Sequence, residues 1–164
     1  MSPTRTNCSE YCLNISDALA SWAENLDNFS QYGFKVAQHQ RSTDFFLLRS
    51  DGSGLRFSVV MVDLAERVEV GVLSIESAEK NYFPEELFAL PPTFQQKLLP
   101  ERLVLETDYG SIDSGLVLTA SDGDQLVLVS GVYPYTIEVK ASFAAGRFEP
   151  EYRIDKYVRQ PIAI

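Results

Sequence analysis

The side chains of this sequence that could do chemistry are few and scattered. His39 is the only imidazole. It lies on an alternating stretch beside Gln38 and Gln40, with no acid spaced to orient it as a general base. No Gly-x-Ser-x-Gly elbow and no histidine-rich metal pattern occurs. Cys8 and Cys12 fall near the start of the chain, and a zinc site would need two further ligands that nothing nearby supplies. Asp51-Gly52-Ser53-Gly54 has the glycines of a phosphate loop but no lysine, and it leads into strand-like sequence. Paired carboxylates could serve hydrolysis. The candidates are Asp108 with Asp113 and Asp122 with Asp124, but both sets lie on expected turns, where aspartate is favoured for backbone reasons. No glutamate completes a calcium loop. The expectation is no catalytic residue, no metal and no cofactor.

The most unusual local chemistry is aromatic and acidic. Tyr133-Pro134-Tyr135 separates two apolar runs, and Phe148-Glu149-Pro150-Glu151-Tyr152 follows. Tyrosine brings a rigid ring and a hydroxyl to an interface at low entropy cost. Tyr133, Tyr135, Glu149, Glu151 and Tyr152 are therefore the candidate binding residues. Pro134 and Pro150 each remove a backbone donor, which suits sheet edges.

Charge narrows the choice of partner. The formal net charge is −9 over 164 residues. Such a field repels nucleic acid phosphates and anionic lipid, and it speeds encounter with a basic protein. No apolar run is long enough to span a membrane as a helix, and Met1 to Glu10 is not built like a secretory signal. A cytoplasmic location is the expectation.

The elements that must position these residues read as an α+β fold, mostly antiparallel, with seven or more strands. Residues 1–13 are expected to be a mobile arm, followed by one domain over 14–164. Ile15, Leu19, Trp22, Leu26 and Phe29 recur at steps of four and three, which predicts an amphipathic helix from Ile15 to Tyr32 stopped by Gly33. Strands are expected at 34–39, 45–49, 55–64 and 68–76, with a turn at Asp51-Gly52. Short proline-bounded helices are expected around Phe83–Leu87 and Thr93–Leu99. A second strand group covers 103–107, 116–119, 125–130 and 135–141, with an edge piece at 147–154 and a docked tail. Leu19, Trp22, Leu26, Phe57, Val59, Leu118, Leu126 and Leu128 form the expected core. The two Ser-Asp-Gly turns make 14–78 and 79–158 candidate halves of a duplicated unit. Unbroken apolar runs such as Leu126-Val127-Leu128-Val129 imply burial on both faces, and a homodimer is one way to cover them.

Ile75-Glu76-Ser77-Ala78-Glu79-Lys80 followed by Leu90-Pro91-Pro92-Thr93-Phe94 faintly resembles the start of the cell-wall-assembly-regulator-like superfamily. The resemblance covers about a sixth of the chain. It sits after four expected strands instead of before the sheet, and it lacks the Asn-Gly expected after Leu99. That superfamily includes many toxin-immunity proteins. The function expected from the residues is a non-enzymatic, acidic protein-binding module of toxin-immunity-like or chaperone-like kind. The alternative is a small-molecule binder, or an enzyme working through carboxylates and tyrosines.

Overall fold

A computed structural model describes residues 11–16, 19, 21–37, 40–144 and 146–162. Eleven strands are seen among them, arranged in two sheets. The first six are β1 (Asn14–Ile15), β2 (Phe29–Val36), β3 (Ser42–Arg49), β4 (Ser53–Ala65), β5 (Val68–Glu79) and β6 (Phe88–Ala89). They form one sheet in the order β1-β5-β4-β3-β2-β6. The second sheet holds β7 (Leu99–Thr107), β8 (Gly110–Thr119), β9 (Gln125–Ser130), β10 (Ile137–Lys140) and β11 (Tyr157–Pro161). Its order is β10-β9-β8-β7-β11. Every pairing is antiparallel except β1 with β5.

The α+β expectation is therefore corrected. The helical segments among the described residues are 3-10 turns of three or four residues. The predicted helix from Ile15 to Tyr32 is instead β1, a turn at Trp22–Asn25 and most of the first half of β2. Its apolar stripe is nevertheless buried: Trp22, Leu26 and Phe29 lie in the main core, with Ile15 and Leu19 packed against it. Burial set the spacing, and the backbone between the buried points took another path. Asn25, Asp27, Asn28 and Ser30 are poor helix formers that offer the chain competing local hydrogen bonds, and Asn28 takes the left-handed conformation at φ 59°. Arg49 then satisfies the carbonyls a helix would have used. Its Nε donates to the Asp27 carbonyl at 3.0 Å and its Nη2 to the Asn25 carbonyl, while its guanidinium lies 4.3 Å over the Phe29 ring.

The predicted helix at Phe83–Leu87 is likewise absent. This stretch crosses the outer face of the first sheet, where Phe83 and Leu87 cover Phe46, Leu48 and Ala78. Thr93–Leu99 shortens to the 3-10 turn Pro92–Gln95. The Phe45-Phe46-Leu47-Leu48 run thereby gains burial on both faces: Phe45 and Leu47 face the core between the sheets. On the second sheet Val117 and Val129 join Val70, Val72 and Tyr157 in a separate cluster. The Asp-Gly hairpins form as expected, with Gly52 at φ 91° and Gly123 at φ 89°. The expected edge piece at 147–154 contributes one bridge, Pro150 to Gly131, and the tail supplies a full edge strand, β11, on β7.

The core draws on both sheets. Phe57, Val59, Leu73 and Ile75 from the first meet Leu116, Leu118, Leu126 and Leu128 from the second. The sheets approach closely at Gly71, where an added Cβ would stand 2.6 Å from the Ser130 Cβ. Ser114 Oγ donates to the Gly71 carbonyl at 2.8 Å. Among the described residues no helix is long and apolar enough to cross a membrane, a statement that does not extend to strands.

Candidate functional site

The turn between β9 and β10 is built to hold two tyrosines in solvent. The Gly131 N–H donates to the Thr136 carbonyl at 2.8 Å and the Thr136 N–H to the Tyr133 carbonyl at 3.3 Å. The Thr136 hydroxyl closes on the same Tyr133 carbonyl. Only glycine fits at 131, because an added Cβ would lie 2.3 Å from Thr136 Oγ1. Outside the turn, the Val132 N–H donates to the Glu149 carbonyl at 3.0 Å, and the Glu151 N–H to the Ser130 carbonyl at 2.8 Å. The backbone is thus fixed from within and from the 149–151 strap. Val132, Tyr133 and Tyr135 are 48%, 53% and 60% exposed on it. Tyr135 stands at φ 61°, a left-handed conformation that costs a residue with a Cβ about 1–2 kcal/mol.

Beside the turn lies a trough of about 770 Å³, lined by Tyr133, Tyr135, Thr136, Arg41, Thr43 and Arg147 among others. Arg41 organises its floor. Its Nη1 reaches Glu149 Oε2 at 2.7 Å and Glu138 Oε1 at 3.5 Å, and its guanidinium stacks 4.5 Å from the Tyr133 ring centroid. Arg147 joins the group through Nε, 3.6 Å from Glu149 Oε1. The consequences for the two acids are opposite. The Arg41 hydrogen bond holds the Glu149 carboxyl below its ordinary range. Burial pushes the Glu138 carboxyl up, against the opposing pull of the Glu149 N–H and Arg41.

A second concavity, about 420 Å³, adjoins this trough and shares Arg147. It is the mouth between the sheets, walled by Tyr32, Phe34 and Val36 of β2, Phe88 of β6, Ile137 and Val139 of β10, and Phe143. Tyr32 anchors it: its ring stacks on Phe88 at 5.3 Å and meets the tilted ring of Phe143 at 4.8 Å, and its hydroxyl donates to the Phe143 carbonyl at 3.0 Å.

Of the five residues singled out in the sequence, Tyr133, Tyr135 and Glu149 come together here. Glu151 and Tyr152 do not join them. Glu151 turns inward, and its Oε1 accepts the Gly71 N–H at 3.1 Å and the Ser130 hydroxyl at 3.2 Å. Burial pushes its carboxyl up, and its role is to pin the strap to β5. Tyr152 is half-exposed, with its N–H donating to the Tyr157 hydroxyl at 3.2 Å. Burial raises the Tyr157 phenol to about 12. Regular alternation would put Glu149 and Glu151 on one side, but the strap is paired only at Pro150 and bends from Glu151 onward, so the two carboxylates part.

Sequence reasoning missed Arg41, Arg147 and Glu138. Arg41 finds its partners 97 and 108 positions away, and Arg147, although two residues from Glu149, joins the trough only through that fold. No local pattern carries that information. His39 and Cys8 lie outside the described residues, and Cys12 is exposed. Asp113 is buried in an ion pair with Arg102 at 3.3 Å, far from the role of a hydrolytic acid. Asp122 and Asp124 serve their hairpin, where the Asp124 N–H donates to Asp122 Oδ1. Among the described residues no cluster of three or more His, Cys, Asp or Glu could hold a metal ion.

The chain matches no protein-family model, no curated protein and no solved structure. The segments that resemble the cell-wall-assembly-regulator-like superfamily fall at the end of β5 and just past β6.

Proposed function

We propose that this chain is a non-enzymatic recognition module that binds another protein through the Tyr133–Tyr135 turn and the rim formed by Arg41, Glu149 and Arg147. The observation that carries this reading is Tyr135. A tyrosine held at φ 61° with 60% of its surface in solvent is strained and unburied at once. Glycine or asparagine would satisfy that turn at less cost, and strain of this kind collects where a side chain is presented to a ligand. The fixed backbone lowers the ordering cost of docking. The net charge of −9 favours a partner that is basic overall, drawn in at long range, while the rim's charges fix its register at contact. An inhibitor and a chaperone of a basic protein are both forms of this activity.

The experiment is capture from source-cell lysate with three baits: wild type, a Tyr133→Ala/Tyr135→Ala double variant and Tyr109→Ala. Tyr109 is another exposed tyrosine, 47% in solvent, on a different turn. A protein recovered by wild type and Tyr109→Ala but lost from the double variant is the expected result. Identical recovery by all three folded baits overturns the reading.

A second reading, chemistry by carboxylates and tyrosines, has one observation in its favour. Glu138 and Glu149 meet on one nitrogen of Arg41 with their proton affinities moved in opposite directions, as a general acid and its partner require. A small molecule whose turnover is lost in Glu138→Gln, with capture unaffected, would favour it.

A further inference from the structure

β6 begins at Phe88, beside Tyr32, and pairs β2 only at Gln31 and Tyr32. The reason it goes no further is visible at Gly33. The preceding residues cross over the outer face there, so that an added Gly33 Cβ would stand 2.6 Å from Pro84 Cγ and 3.0 Å from the Glu86 carbonyl oxygen. Leu87 then packs on the outer cluster with Phe83. The lane that β6 would have occupied beside Phe34, Lys35 and Val36 carries no strand among the described residues. The Ser30 carbonyl accepts the Leu90 N–H on this edge. With a period of two, the backbone polar groups of Phe34 face the same open side.

A register shift falls at Lys35/Val36, but two other guards are missing from that edge. β2 has no proline, and its lysine, Lys35, sits 5.4 Å over the Phe46 ring on the outer face. On the inner face the lane opens on the 420 Å³ aromatic mouth. The mouth ends at Arg147, whose side chain is 60% exposed and whose one ion pair uses Nε at 3.6 Å. The other charged groups in the vicinity are already engaged. Glu138 is directed to Arg41 and to the Glu149 N–H, and Arg41 takes Glu149 at 2.7 Å.

We infer that the open lane beside β2 receives an extended segment of the partner protein, added as a strand, with an aromatic side chain in the mouth and a carboxylate two residues along on Arg147. This inference rests on the recognition reading above and names the chemistry of the segment recognised. Strand addition supplies the main-chain hydrogen bonds, and alternate side chains supply the selectivity. An aromatic residue is required because Phe34, Phe88 and Phe143 leave an apolar recess bounded by rings. A carboxylate is required because Arg147 is the cation with the fewest existing claims, and its remaining N–H groups suit a planar anion.

The test uses three blocked, fluorescein-labelled hexapeptides of threonine. Each carries phenylalanine at one position and, two residues later, glutamate, glutamine or lysine. Fluorescence polarisation against the full chain should rank glutamate above glutamine above lysine, with at least a tenfold span. Arg147→Glu should invert the order. Amide exchange at Phe34 should slow at least tenfold with saturating glutamate peptide. Equal affinity for the three peptides, an unchanged order in Arg147→Glu, or an unprotected Phe34 amide overturns the inference. Failure here is separable from failure of the recognition reading. A captured protein that needs Tyr133 and Tyr135, while the glutamate peptide is bound no better than the others and the Phe34 amide stays unprotected, sinks the lane alone. A glutamate peptide that binds and protects Phe34, while capture is insensitive to the tyrosines, sinks the tyrosine rim alone.

Discussion

At the scale of single residues, Gly131 and Tyr135 make opposite demands on one turn. Gly131 is there because nothing larger fits against Thr136, whereas Tyr135 is there despite its backbone. Tyr135→Asn should therefore raise stability by about 1 kcal/mol, because asparagine accepts the left-handed region more readily. A higher denaturant midpoint with weaker partner binding is the expected pairing, and a lower midpoint would show that the ring is held by packing instead. Glu149 and Glu151 offer a second contrast, set by their environments. Glu149 has its carboxyl held down by Arg41, so its stabilisation is present above the ordinary glutamate range and is lost as pH falls through the lowered value. Glu151 has its carboxyl pushed up by burial, so its contribution is present below the ordinary value of 4.5 and is lost as pH rises through the raised one. At neutral pH, Glu149→Gln should lower the melting temperature. Glu151→Gln should raise or preserve it, since the amide oxygen still accepts from Gly71. Both differences should shrink in acid. Thermal scans of the two variants across pH check the signs, and shifts in the same direction at neutral pH would contradict them.

At the scale of elements, the segment from Ile15 to Phe29 shows how much was legible and where legibility ended. Its apolar positions are buried or packed on the core, as their spacing implied. The same spacing implied a helix, and that failed because Arg49, Asn25 and Asn28 gave the backbone a different set of partners. Strands were easier to find, since β3, β4, β5, β8 and β9 each carry β-branched and apolar runs bounded by Asp-Gly turns or glycine. β11 was missed because Val158 and Arg159 are exposed, leaving an edge strand with little pattern. At the candidate site, Tyr133, Tyr135 and Glu149 could be named from residue type. Arg41, Arg147 and Glu138 could not, because only the tertiary fold brings them there. Trp22 gives the element-scale prediction. It is 6% exposed within a four-residue 3-10 turn, where a few hydrogen bonds such as Asn25 Nδ2 to the Ser21 carbonyl at 3.0 Å fix the backbone and the ring supplies the packing on the core. Trp22→Ala should cost about 3–5 kcal/mol. An unfolding midpoint equal to wild type would show that the turn can be lost without disturbing the sheets.

At the scale of the whole molecule, one core spans both sheets, so neither sheet keeps its inner face covered without the other. Denaturant unfolding should then be a single transition, with Trp22 fluorescence and far-ultraviolet circular dichroism coinciding. Two separated transitions would mean that the sheets are independent folding units. The segment around Tyr11–Ile15 adds a constraint of another kind, in time. Tyr11 bridges Ile112, the Leu13 N–H donates to Asp113 Oδ2 at 3.0 Å across 100 positions, and β1 pairs with Ser74 and Ile75. At ordinary synthesis speeds of about 5–20 residues per second, Leu13 is added to the chain roughly 5–20 s before Asp113. These early residues must wait unpaired while the four-stranded meander behind them forms from neighbours in sequence, and such non-local pairings close slowly. The segment from Tyr11 to Ile15 is thus fixed late although it is made before its partners, and it acts as a clasp that closes only once β5 and β8 have both been synthesised.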